Sequence, residues 1–254
     1  MVAKQRSLKV EGIVLRHREW GESDRMLTLF TRELGKVQAL AKGVRKPRSR
    51  KAGHVEPFSR VTLLLARGRS FFYLTQAEAV NVHSALRENL ILLGYASYVV
   101  ELLDRFTQDE EEQNLFYRLL ANTLTRLNRG DDPDLVTRYY EIRTLDFVGF
   151  RPQLMTCAQC KIEILPEDQF ISGSHGGALC PKCGGTSREA RPISMLALKY
   201  LRHFQRSNYQ NAKRAQIPEE IYAEIENLMY YYLTYVLERG LNSPAFLRRV
   251  REMK

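Results

Sequence analysis

Between Leu8 and Ala79 the chain alternates apolar and polar residues in short runs bounded by turn residues, the spacing of β-strands. Five strands are predicted: Leu8–Arg18, Arg25–Arg32, Lys36–Lys42, Phe58–Ala66 and Phe71–Ala79. Gly21 and Ser23, then Glu33-Leu34-Gly35, then Arg67-Gly68-Arg69-Ser70 supply turns between them. In the third strand Val37, Ala39 and Ala41 face one way and Lys36, Gln38 and Lys42 the other, which puts two lysines on one face. Five short strands with no long helix between them fit a small closed barrel. The OB-fold is the common five-stranded case, and an SH3-like barrel fits the same pattern. From Val82 the period changes. Leu86, Leu90, Leu93, Ala96, Val100 and Leu103 step by three and four along one amphipathic helix. Phe116, Leu120, Leu124 and Leu127 mark a second, closed by Gly130, and Asp132-Pro133 opens a third, closed by Gly149. Ser194 caps a helix to about Arg206, Pro218-Glu219-Glu220 starts one that runs to Gly240, and a short helix follows from Pro244. The pattern is therefore α+β: an N-terminal five-stranded barrel over residues 1–80, with the OB-fold as the expectation, then a helical domain over 81–254, interrupted at about 154–188 by a cysteine region.

Charge sharpens this division. The chain has 254 residues and a net charge of +10. The first 80 residues hold 17 Lys and Arg against 7 Asp and Glu, whereas residues 81–254 hold 22 of each. A neutral body carrying a basic module points to a polyanionic partner for the module. The charge is densest in the connection between the third and fourth strands, where Lys42, Arg45, Lys46, Arg48, Arg50 and Lys51 crowd together. Pro47, Ser49 and Gly53 make this stretch a loop. Like charges so close repel one another unless an anion neutralises them, although a solvated loop is the bland alternative. An anionic membrane would call for a basic amphipathic helix, which the module is not. The start lacks an apolar targeting core, and no apolar run approaches transmembrane length. A cytoplasmic protein that contacts nucleic acid is the expectation.

All four cysteines fall in one pattern, C-x2-C-x19-C-x2-C, at Cys157, Cys160, Cys180 and Cys183. That is the spacing of a four-cysteine zinc site, in which each knuckle turns two thiolates toward one point. Two disulfides or four free thiols are the alternatives, and disulfides fit poorly with a cytoplasmic protein. A closed shell of four thiolates leaves no open position for water, so the expected Zn2+ is structural. His175 lies near as a bystander, and His17, His54, His83 and His203 are scattered. The acidic run Asp109–Glu112 reads first as a solvated connection and second as a metal patch of a nuclease. Neither a P-loop nor a dinucleotide-binding glycine pattern occurs, and nothing argues for an enzyme. Trp20, the single tryptophan, sits in a turn. It reads as a cap on the barrel end, with stacking on an unpaired base as the alternative. Phe71, Phe72 and Tyr73 are mainly core, but alternation turns at least one outward.

Specific residues then point to a family. Val10-Glu11-Gly12-Ile13-Val14-Leu15, Gly21-Glu22-Ser23-Asp24-Arg25, Thr28-Leu29-Phe30-Thr31, Gly35-Lys36-Val37, Ala41-Lys42-Gly43-Val44-Arg45 and Glu56-Pro57-Phe58 follow in close order. Leu74-Thr75-Gln76-Ala77-Glu78, Tyr95-Ala96-Ser97-Tyr98 with Glu101-Leu102, and the two cysteine knuckles continue the likeness. The chain resembles the RecO family of bacterial DNA repair and recombination proteins, densely over residues 8–105 and 138–185. The resemblance implies a non-enzymatic mediator that binds single- and double-stranded DNA and anneals complementary strands. With RecR it would help place RecA on DNA covered by single-stranded-DNA-binding protein, whose acidic C-terminal tail some members contact. Arg25, Lys36, Lys42 and Arg45 match basic family positions; Lys46, Arg48, Arg50 and Lys51 match more loosely. Cysteines are not universal in the family, so zinc would support the fold. A nucleoid-associated protein is implied, and an RNA-binding OB protein is the runner-up. With roughly 6–10 phosphate contacts, affinity would fall about 10³–10⁵-fold between 50 and 200 mM salt.

Overall fold

The computed structural model describes residues 7–109, 111 and 113–253. The described chain forms two compact units. One runs through Asp131 and takes in the stretch from Ser243 onward; the other is Asp132–Asn242.

In the first unit, β1 (Ser7–Trp20), β2 (Asp24–Thr31), β3 (Gly35–Ala41), β4 (Arg60–Arg67) and β5 (Phe72–Asn81) close into a barrel of order β1-β2-β3-β5-β4. All pairings are antiparallel except β3 with β5, and β4 closes on β1. This is the OB arrangement, and it confirms the predicted five-stranded barrel. Alternation fills the interior with Val10, Val14, Leu27, Leu29, Val37, Leu63, Leu65, Phe72 and Leu74. The outer face is not all wet: Ile13, Leu15, Met26 and Phe30 are also buried. That is why β1 and β2 read as nearly continuous apolar runs.

Helices α1 (Ala85–Glu88), α2 (Leu90–Phe106) and α3 (Asn114–Asn128) follow in the same unit. The single helix expected from Val82 to Leu103 is broken at Asn89. Its backbone is extended, and its side chain accepts from the N–H groups of Ile91 and Leu92, so it starts α2 afresh. Polar bonds tie helices to barrel. Tyr117 Oη donates to Glu11 Oε1 at 2.8 Å, and Arg60 Nη2 donates to the same oxygen at 2.7 Å. Burial alone would raise Glu11, but these two donors outweigh it and hold the carboxyl low. His83 bridges the Phe58 carbonyl (2.8 Å) and the Thr125 hydroxyl (3.2 Å). At Gly35 (φ +64°) a Cβ would lie 1.8 Å from the Glu111 carbonyl oxygen, so the segment after α2 closes over a turn that only glycine fits. The final helix α9 (Ser243–Glu252) returns to α2: Ser243 N–H donates to Glu101 Oε2, and Leu247 packs against Gly94.

The second unit holds α4 (Pro133–Phe147), β6 (Gln169–Ser172), β7 (Gly177–Leu179), α5 (Pro181–Thr186), β8 (Arg191–Ile193), α6 (Met195–Arg206), α7 (Tyr209–Ala212) and α8 (Glu219–Leu237). Asp132 and Ser194 cap α4 and α6 as their sequences predict. Helix α8 stops at Leu237, three residues short of Gly240, because Glu238 itself takes the left-handed conformation (φ 54°). The strands form a three-stranded antiparallel sheet of order β7-β6-β8 that supports the cysteine region.

Candidate functional site

The basic loop after β3 is pinned at both ends. Gly43, at φ +63°, turns its N–H to Asp24 Oδ1 at 2.7 Å, and Arg45 N–H bonds the Ser23 carbonyl at 2.9 Å. Successive turns follow, Lys46 N–H to the Gly43 carbonyl and Ser49 N–H to the Lys46 carbonyl, then one 3-10 turn at Ala52–His54. Val44 and Val55 anchor the loop in the barrel core. Lys51 fastens it from inside: its ammonium donates to the carbonyls of Lys42 (3.1 Å) and Leu74 (3.2 Å). Burial lowers its pKa, partly offset by Asp24. The loop is thus an ordered scaffold for its remaining cations.

The eight expected DNA-binding residues divide into two sets. Lys42, Lys46, Arg48 and Arg50 are exposed and pair with no carboxylate among the described residues. With Lys51, Thr75 and Gln76 the last three line a concavity of about 450 Å³. Arg50 and Gln76 also border an adjoining hollow with Lys9 and Glu78. The other set is engaged. Arg25 Nη1 donates to Glu56 Oε1 at 2.9 Å. Lys36, its side chain only 12% exposed, meets Asp104 Oδ1 at 3.0 Å and the carbonyls of Asp104 and Thr107 at 3.1 and 2.8 Å. The expected shared outer face of Lys36 and Lys42 is therefore split: α2 covers one lysine and leaves the other wet. Burial would raise Asp104, but Arg16 and Lys36 hold it below the usual carboxylate range. Arg45 pairs with Glu19 at 2.9 Å, but Glu19 is 70% exposed, and such surface pairs are weak.

Sequence reasoning left an aromatic row beside this loop half-read. Trp20, at the end of β1, is 40% exposed and meets Phe71 edge-on at 6.3 Å; Phe71 meets Tyr73 edge-on at 5.3 Å. Arg18 lies over Trp20 at 4.9 Å and Lys42 over Tyr73 at 5.2 Å. Phe72, between the outward pair, is buried, so the alternation of β5 was the available signal.

The four cysteine sulfurs lie within 4.8 Å of one another. The first knuckle is closed by Cys157 N–H to the Ile162 carbonyl and Lys161 N–H to the Cys157 carbonyl, the second by the start of α5. A tetrahedral ion with sulfur at about 2.3 Å places its sulfurs about 3.8 Å apart. Cys160 and Cys180 Sγ stand at 3.8 Å, so the donor set fits. Burial raises the Cys157 thiol, but the N–H groups of Cys160, Cys180 and Gln159 outweigh it and hold it down at about 6. Cys183 is pushed up to about 12 by desolvation and its neighbouring sulfurs. Four thiolates together therefore need a cation. His175 stays outside, bonded to the hydroxyls of Ser172 and Ser174. Among the described residues the cysteine quartet is the only such metal-ligand group. Asp109 of the acidic run pairs with Lys36 at 3.6 Å, and Glu110 and Glu112 lie outside the described residues.

Comparison with known families settles membership. Residues 5–83 match the model of the Recombination protein O N terminal domain, and residues 87–245 that of the Recombination protein O C terminal domain. The chain belongs to the RecO family. Among similar relatives are proteins named DNA repair protein RecO from Roseiflexus sp. (39% identical, covering 98% of this chain and 88% of the relative) and Pelotomaculum thermopropionicum (37%, 95% and 93%). One from Moorella thermoacetica is 36% identical over 95% of this chain and 91% of the relative. In this RecO-family chain the N-terminal match spans the whole barrel and the basic loop. The C-terminal match contains all four cysteines. Among the described residues no helix is long and apolar enough to cross a membrane.

Proposed function

We propose that this chain is a non-enzymatic mediator of DNA repair and homologous recombination. It binds single- and double-stranded DNA, anneals complementary strands and, with RecR, assists RecA loading onto DNA covered by single-stranded-DNA-binding protein, whose acidic tail it contacts. Residues 1–80 serve as the DNA-binding module and residues 81–254 as a helical domain interrupted at about 154–188. The protein works in the cytoplasm, at the nucleoid. The partners rest on family membership; the DNA contact rests also on geometry.

The observation that carries the contact is the pinned loop, from which Lys42, Lys46, Arg48 and Arg50 project beside a concavity with no carboxylate partner among the described residues. Arg45 joins them by exchanging Glu19 for a phosphate, which costs little because an exposed pair is worth about 0–1 kcal/mol. Arg25, Lys36 and Lys51 hold the platform in shape. Phosphate contacts of this kind supply affinity without sequence information. Annealing follows from the same charge, because neutralising two strands removes the repulsion that slows their meeting. The quartet Cys157, Cys160, Cys180 and Cys183 holds Zn2+, which, closed in by four thiolates, supplies a staple for the fold and no catalytic water.

Joint charge reversal of Lys42, Arg45, Lys46 and Arg48 tests the reading. DNA binding and annealing are expected to disappear while circular dichroism stays native. If both survive, the DNA site lies elsewhere.

A further inference from the structure

We infer that Trp20, Phe71 and Tyr73 form a track on which unpaired DNA bases stack, continuing the phosphate-binding loop. This rests on the proposed DNA contact of that loop and extends it to a preference for single strands.

Trp20 is exposed and Phe71 and Tyr73 are part-buried, on the outside of a barrel that buries Phe72 between them. Trp20 stands 40% exposed although the barrel interior is filled by aliphatic side chains and Phe72. Trp20 ends β1 at the β1–β2 turn, and Phe71 is the last residue of the β4–β5 turn, just before β5. Those two connections flank the oligonucleotide-binding face of five-stranded barrels of this kind. Each end ring carries a cation, Arg18 over Trp20 and Lys42 over Tyr73, and Arg69 is exposed in the β4–β5 turn. Neither Arg18 nor Lys42 pairs with a carboxylate among the described residues. Such ring-and-cation pairs complement a strand that carries one base and one phosphate per nucleotide. A cation held only by a ring face is readily moved to a phosphate, since an exposed contact of that kind is worth about 0.5–1 kcal/mol.

The track also runs into the concavity. Outward residues of β5 after Tyr73 include Thr75 and Gln76, which line it, and Lys42 touches both features through Tyr73 and Lys51. At about 3.3 Å per residue, Phe71 to Gln76 spans some 17 Å. That length suits a few nucleotides, within the roughly 4–16 that one such barrel covers. A duplex keeps its bases stacked inside and offers the rings nothing.

The sole tryptophan makes the test direct. An unlabelled dT oligonucleotide and a blunt duplex of equal length are titrated into the full chain while tryptophan emission is followed. Binding is measured separately by anisotropy of labelled DNA. The single strand is expected to quench Trp20 at saturation and the duplex to leave it nearly unchanged. Trp20→Ala, checked for native circular dichroism, is expected to lower dT affinity about 5- to 150-fold and duplex affinity less than about 2-fold. Saturating dT binding with unaltered emission overturns the track and leaves the phosphate loop standing. Equal losses on both DNAs in the variant also overturn it. Failure of the wild-type chain to bind either DNA overturns the loop reading beneath it.

Discussion

A lysine's worth to a ligand depends on what already holds its ammonium. Lys36 and Lys46 are alike in the sequence, yet they do opposite jobs. Lys36 gives its protons to Asp104 and two carbonyls from a nearly buried position, whereas Lys46 reaches into solvent. Lys36→Ala leaves Asp104 half-compensated by Arg16 and should cost about 3 kcal/mol of stability in urea unfolding, with DNA affinity of the folded protein nearly unchanged. Lys46→Ala should shift stability by less than about 0.5 kcal/mol and lower the salt slope of single-strand binding by about 0.7. The reverse pattern would show that the two roles are exchanged. The residues were legible as basic, but their employment was not. The carboxylate that takes Lys36 lies 68 positions away, and no local pattern announces it. Arg25 and Glu56, 31 positions apart, hid in the same way.

At the scale of elements, legibility followed length. The five barrel strands and the long helices span enough residues for a period of two or of 3.6 to declare itself. Strands β6, β7 and β8 have 4, 3 and 3 residues and carry no period at all. The break at Asn89 hid because the apolar spacing runs through it, and the docking of α9 on α2 is a matter of topology that no spacing contains. The cysteine spacing was legible for a different reason: two like pairs can bring four sulfurs to one point, whatever connects them. That small sheet buries Ile171, Ala178, Leu179 and Ile193, but its strands are only three or four residues long, so the proposed metal should hold it and its knuckles. Removing it forfeits apparent binding energy on the order of 10–16 kcal/mol. Chelation, or Cys183→Ser, should therefore expose the amides of residues 153–193 to hydrogen exchange while the barrel amides stay protected. Knuckle amides equally protected with and without chelator would mean the cysteines fold without an ion.

For the molecule as a whole, the charge census was legible in full, but its consequence is smaller than the census suggests. The excess of +10 lies in the first 80 residues. Yet Arg25, Lys36 and Arg60 answer Glu56, Asp104 and Glu11 within the same unit, and Lys51 is turned inward. The loop keeps five cations ready for phosphate, Lys42, Arg45, Lys46, Arg48 and Arg50, and Arg18 and Arg69 of the aromatic row bring the number to seven. Each contact contributes about 0.7 to the slope of log affinity against log salt for a single strand. The slope should then be about −3.5 from the loop alone and about −5 with the aromatic row, so affinity should fall roughly 130- to 1,000-fold between 50 and 200 mM salt. For a single strand, six to ten contacts would instead give a slope of about −4 to −7. Titration of dT oligonucleotides across that range decides between them. A slope of −6 or steeper would require the ion pairs of Arg25, Lys36 and Arg60 to open on binding, and a flat response would rule out counterion release as the basis of the proposed DNA contact.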